Sequence, residues 1–157
     1  MKTALIIGYG SAGKNHENTL NNIGFKTYVF SRRNIENRNH NNILNNTLNK
    51  LKPNYVIVSN ETSEHLRTLR ILEHHRVPKV LVEKPIFQKP IMKHNFENKN
   101  IFVGYNLRFH PLLVKLFKEI KKQKILSVIS RVGSYLPDWR KGRNYHESYS
   151  VNVHKGG

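Results

Sequence analysis

The chain contains no cysteine, which excludes disulfides, thiolate metal sites and cysteine nucleophiles. No metal site is expected. Acidic residues are scarce, 10 against 27 lysines and arginines, and the net charge is +17. Long apolar runs are also missing. The stretch after Met1-Lys2-Thr3 ends in glycines, far short of the ~20 residues that a membrane-spanning helix needs. No small-residue cleavage site follows it. The expected location is therefore cytoplasmic, with no membrane partner. At 157 residues the chain suits one domain or a little more.

The positive charge has two readings. A basic domain can be a footprint for nucleic acid, but here the cations are scattered. The one compact run, Lys121-Lys122-Gln123-Lys124, is placed to close a helix, where cations suit the negative end of the macrodipole. Asparagine is heavily used as well, eight times between Asn34 and Asn49; lysine and asparagine in joint excess are common products of an AT-rich genome. The charge is read as favouring small anionic ligands. No nucleic-acid partner is expected, because neither a recognition helix nor an aromatic platform is visible.

Along the chain, strand-like and helix-like segments alternate, the rhythm of an α/β fold with a parallel sheet. Thr3–Ile7, Lys26–Phe30, Tyr55–Val58, Lys79–Val82 and Ile101–Tyr105 read as strands. The almost wholly apolar Thr3–Ile7 suits a strand covered on both faces, and Lys26–Phe30 is rich in aromatic and β-branched residues. Helices are expected at Ser11–Ile23, capped by Gly24, at Ile43–Leu51 before Pro53, at Thr62–His75 and at Pro111–Lys122. Residues 86–100 are too short and polar for a full helical crossover. Ile125–Tyr135 reads as a strand of something new.

Gly8-Tyr9-Gly10-Ser11-Ala12-Gly13 lies between the first strand and the first helix. In that context three glycines at this spacing form a dinucleotide-binding turn. Gly8 permits the tight turn, Gly10 lets the backbone approach a pyrophosphate, and Gly13 lets helix and strand pack closely. The helix start adds free N–H groups and a positive dipole end. After the second strand comes Ser31-Arg32-Arg33, with no carboxylate until Glu36. An acidic residue there would bind the ribose 2′-hydroxyl of NAD. A serine with arginines suits a 2′-phosphate instead, so NADP is the preferred cofactor and NAD the second.

Three motifs in order, Gly8-x-Gly10-x-x-Gly13-x-x-His16, Glu83-Lys84-Pro85 and Gly104-Tyr105-Asn106-x-Arg108-Phe109-x-Pro111, resemble the Gfo/Idh/MocA oxidoreductases. The resemblance covers essentially the whole chain. It implies an NAD(P)-binding Rossmann domain, here residues 1–108, followed by an α/β domain with an open antiparallel sheet, whose start would be 109–157. It implies hydride transfer between nicotinamide and a hydroxyl-bearing carbon of a sugar, cyclitol or sugar-nucleotide-type substrate. Lys84 would then be catalytic, reaching the reacting hydroxyl or the nicotinamide ribose, with Pro85 shaping the backbone beside the nicotinamide and Glu83, Lys84 and Pro85 together contacting the cofactor. An ammonium suits that task because it stabilises alkoxide character and can pass a proton.

Other positions follow from location. Asn60 and Thr62 stand at the carboxyl edge of the sheet, where ligands collect at a switch point; Thr62 is also placed to cap the next helix. His16 and His65 match family positions, with structural hydrogen bonds as their expected role. Asn106 and Arg108 could face the cofactor from the domain junction. Trp139, Arg140 and Arg143 form a cationic and aromatic segment suited to a substrate phosphate or carboxylate.

The chain ends at Lys155-Gly156-Gly157, before the aspartate and histidine that the family carries beyond such a glycine-rich spot. Two further readings therefore stand beside the oxidoreductase. One is a truncated, non-catalytic remnant that at most binds the dinucleotide; the other is a basic nucleic-acid-binding module. Residues 125–157 are expected to be poorly ordered alone or packed on another chain, and a homo-oligomer is expected only with the second domain complete.

Overall fold

A computed structural model describes residues 1–31, 40–90, 96–97, 100–133, 135, 138, 142, 144–147 and 151–155. Arg32, Arg33, Trp139, Arg140 and Arg143 lie outside the described residues. Five strands form one sheet: β1 (Thr3–Ile7), β2 (Lys26–Phe30), β3 (Tyr55–Val58), β4 (Val80–Val82) and β5 (Ile101–Val103). The helices are α1 (Ser11–Asn22), α2 (His40–Leu51), α3 (His65–His74) and α4 (Pro111–Ile120). The strand order is β2-β1-β3-β4-β5 and every pairing is parallel. This is a Rossmann-like α/β fold.

Burial on both faces explains the apolar strands. Leu5, Ile7, Val56, Val58, Val80 and Val82 face one side and pack with Leu44 and Leu48 of α2 and with Leu69 and Leu72 of α3. Ala4, Ile6 and Ile57 face the other and pack with Leu20 of α1. The connection after β4 is not a helix where described. It covers the sheet with side chains instead: Ile86, Phe87 and Phe96 pack on the larger core, and the Phe87 and Phe96 rings stack 6.2 Å apart.

Helix ends follow local chemistry. Gly24 has φ 84°, its N–H bonds the Asn21 carbonyl and the Phe25 N–H bonds that of Leu20. This is the paired closure that a left-handed glycine permits. Arg76 ends α3 in the same way, bonding Glu73, while Val77 bonds Leu72. Its φ is 48°, and Lys52 after α2 has φ 43°. A side chain in this region costs ~1 kcal/mol or more.

The expected strand over 125–135 is absent. None of its described residues is in a strand, and Leu126, Ile129 and Val132 are 89, 83 and 92% exposed. A strand needs partners, and no second sheet exists among the described residues to supply them. The antiparallel sheet expected for the second domain is therefore not present there. Helix α4 forms where expected, but it buries no residue; Leu112, Leu116 and Phe117 face solvent, as does Phe102 on β5. No helix among the described residues is long and apolar enough to cross a membrane.

Stability should divide accordingly. Leu69, fully buried, should cost ~3 kcal/mol when changed to Ala, whereas Leu116→Ala should stay within ~0.5 kcal/mol. Urea denaturation of the two variants measures this; equal losses would mean that α4 is packed into the core.

Candidate functional site

The strand order reverses between β1 and β3: the chain leaves β1 toward β2 on one side, and β3 lies on the other. Open α/β sheets form their ligand crevice at the carboxyl ends of such a pair. Backbone bonds continue from strand to strand along this edge. Gly8 N–H bonds Phe30, Ser59 N–H bonds Ile7, Glu83 N–H bonds Val58 and Gly104 N–H bonds Val82, each at 2.8 Å.

The three glycines have different surroundings. Gly8 has φ +95°, and a Cβ there would sit 2.4 Å from the Asn60 nitrogen. A Cβ on Gly13 would lie 2.2 Å from the Gly8 carbonyl oxygen. Both positions are closed by backbone, so no side chain fits. Gly10 is the reverse, with nothing within 4 Å of its Cβ position. It is also the N-cap of α1, and no side chain caps that helix. The first helical bond runs from Lys14 N–H to the Gly10 carbonyl at 3.1 Å. The N–H groups of Ser11, Ala12 and Gly13 precede it and lack intrahelical acceptors. Open space thus lies over unpaired donors at the positive end of a helix, an arrangement that accepts phosphate oxygens.

Ser59 locks the turn. Its hydroxyl donates to the Gly8 carbonyl at 2.8 Å and approaches that of Ile7 at 3.2 Å. Sequence reasoning missed Ser59; the available signal was its place directly after β3, across the switch point from the glycines. Tyr9 folds back over α1, donating its hydroxyl to the Glu17 carboxylate, which raises the phenol's pKa. The Lys14 ammonium lies 5.5 Å from the Tyr9 ring centre.

Two histidines tie the edge together. His16 on α1 bonds Glu83, after β4, at 2.7 Å. That bond holds the Glu83 carboxyl below its ordinary pKa, and burial opposes it. His65 is buried, its ring nitrogens 3.0 Å from the Pro85 carbonyl and 3.2 Å from that of Asn60. Burial pushes the His65 pKa down, opposed by these carbonyl bonds, which favour the charged ring. Both histidines make the structural bonds expected of them. Asn60 donates to Thr68 at 3.0 Å, while its Oδ1 is buried without a partner.

Other expected positions are spread along the edge. Thr62 is buried but is not a helix cap: it opens a 3-10 turn, Thr62–Glu64, whose own cap is Glu61. Ser31, at the end of β2, is buried too. Lys84 and Pro85 are exposed and joined by a cis peptide bond. Asn106 and Arg108 follow β5, two strands away from β3, and are exposed. No cluster of potential metal ligands occurs among the described residues.

No protein-family model matches the chain, and no curated protein matches it. Among solved structures, the fold is similar to RSP in complex with β-NADH, with a TM-score of 0.53 and 14% identity over 78% of this chain. It is equally similar to RSP described as a Rex-family repressor, TM-score 0.53, 13% identity, again over 78% of this chain. The matches span 61 and 60% of those proteins' lengths. At this identity the likeness shows the fold.

Two expectations are corrected by these neighbours. The motifs resembling Gfo/Idh/MocA pointed to an oxidoreductase acting on CH–OH groups of a sugar-like substrate, with Lys84 catalytic. One of these similar structures is described as a Rex-family repressor and neither is described as an enzyme of that family, and the enzyme assignment is withdrawn. The exclusion of nucleic acid is withdrawn with it, on the same repressor description. The reaction had been expected from the motif resemblance alone; the glycine turn implied only a dinucleotide.

Gly8→Ala places a methyl group against backbone at positive φ and should cost ~3 kcal/mol or more. Near-native stability in urea denaturation would contradict the close approach. Glu83→Gln should be less stable than wild type at pH 7 by ~1 kcal/mol. Because the Glu83 pKa is lowered in the fold, that difference should be full above about pH 4.5, the carboxyl's ordinary value. It should close as pH falls through the lowered pKa. A gap that persists in acid would show that the bond to His16 is not its source.

Proposed function

We propose that this chain is a non-catalytic dinucleotide-binding domain that holds a nicotinamide dinucleotide over the β1–α1 turn as a ligand to be sensed. The observation that carries this is Gly10, open above the uncapped start of α1 while Gly8 and Gly13 are closed by backbone. Backbone N–H groups from Ser11 to Gly13 would hold the pyrophosphate. Asn60 and Thr62 would line the crevice, with Asn60 Oδ1 a buried acceptor left over. The exposed Lys84, beside Glu83 and Pro85, would meet the ligand as a cation; Asn106 and Arg108 would reach it only from the outer edge. One neighbour of this fold is in complex with β-NADH, which supports the ligand class. In this reading residues 1–108 are the binding unit and 109–157 a separate segment.

For the adenine ribose we propose a preference for NADP over NAD, carried by Ser31-Arg32-Arg33 and the lack of a nearby carboxylate. Guanidinium groups bind a phosphate in a fork. Arg32→Asp should weaken NADPH at least ten-fold, ~1.4 kcal/mol, and narrow the difference from NADH; unchanged NADPH affinity would remove the preference.

Gly10→Ala separates binding from folding. Its added methyl meets nothing, so stability should change by less than ~1 kcal/mol, while dinucleotide affinity by nicotinamide fluorescence should fall ten-fold or more. Undiminished binding by the folded variant would move the ligand elsewhere.

A further inference from the structure

The opposite end of the sheet has a different chemistry. Lys26 N–H bonds the Lys2 carbonyl, Asn54 N–H that of Thr3, and Val56 N–H that of Lys79. Lys26, Lys2 and Lys79 are thereby lined up across the amino-terminal edge from β2 to β4, about 14 Å at the usual strand spacing. Helices α2 and α3 run back to this same edge and deliver Lys50, Lys52 and Arg76. All six cations are exposed. Among the described ion pairs, none involves them; Lys26 lies over the Tyr28 ring at 5.4 Å. Four of the described acids are elsewhere: Glu17, Glu61, Glu64 and Glu83 lie toward the carboxyl edge. Glu73 ends near the cations, and its carboxylate receives the Glu97 N–H.

Helix dipoles account for part of this. Cations at the ends of α2 and α3 offset partial negative charge, but Lys2, Lys26 and Lys79 stand at strand ends, where there is no such field. Lys52 and Arg76 also occupy left-handed backbone, the position that glycine or asparagine ordinarily fills. In a chain this rich in asparagine, both places hold a long cation. Between them lies an open groove of about 280 Å³ floored by Leu48, Pro53, Val77 and Pro78.

We propose that this edge is a binding surface for the phosphate backbone of nucleic acid, with the groove between Lys52 and Arg76 seating one strand. The row spans the rise of about four nucleotides, at 3.4 Å each along one strand. It offers no arrangement that reads base edges, so binding is independent of sequence and strongly dependent on salt. The surface is remote from the dinucleotide crevice and does not depend on it.

The test is an anisotropy titration of the full chain with a short DNA duplex across a range of salt. With about five phosphates engaged, log K should fall with log[salt] at a slope of about −4.5. The double substitution Lys52→Gly, Arg76→Gly suits the left-handed backbone, so it should fold at least as stably. It should weaken binding about ten-fold and reduce the slope by about 1.8. The charge-matched control Lys115→Gly, Lys118→Gly on α4 should change affinity less than two-fold. The proposal fails if wild type does not bind DNA at ~50 mM salt, or if both double variants lose affinity equally. It also fails if the Lys52/Arg76 variant binds normally, or if anionic lipid vesicles are bound through these residues and DNA is not.

Discussion

The contact on which the structure turns is the approach of α1 to the β1–β3 pair. The Gly8 carbonyl stands where a Gly13 side chain would be, 2.2 Å from its Cβ position, and the Asn60 backbone closes on Gly8. Ser59 fastens the same point by donating to the Gly8 carbonyl. These contacts bring the helix start down onto the sheet edge and leave it without a side-chain cap. Leu20 then covers Ala4, Ile6 and Ile57. The phosphate-accepting character of the turn follows from packing: two glycines are spent on closeness, and the third is left open.

The sequence showed strongly those elements whose partners are near at hand. β1 and β3 lie where their apolar runs placed them, because strands buried on both faces cannot tolerate polar interruptions; β2, at the sheet edge, was marked by its aromatic and β-branched residues instead. Gly24 marked the end of α1 through its left-handed backbone. Expectations failed where structure depends on distant partners. Ile125 to Tyr135 has strand composition but no neighbouring strand, and composition cannot supply one. The apolar spacing of α4 predicted a helix correctly while implying a burial that does not occur. Thr62 looked like a cap for α3, but the chain turns once as a 3-10 helix before α3 begins.

At the site, the glycines stood out because their spacing reports backbone geometry. Ser59 did not, since a serine after a strand has many uses and its bond to Gly8 arises only once β1 and β3 are neighbours. The Lys84 segment shows the limit of motif reasoning. Its place on the carboxyl edge is what the chain pattern implied, yet position alone does not make an ammonium catalytic. The cations, scattered in sequence, become ordered in space: the parallel sheet gathers Lys2, Lys26 and Lys79 at one end, and Glu61, Glu64 and Glu83 at the other.

The central claim is that a nicotinamide dinucleotide sits over the β1–α1 turn. Hydrogen exchange of the intact chain, with and without saturating NADPH or NADH, tests it most directly. Bound dinucleotide should add protection at the amides of Gly10 to Gly13 and at 59–62, with Lys52 and Arg76 unchanged. Protection confined to other segments, or none with either dinucleotide, would contradict it.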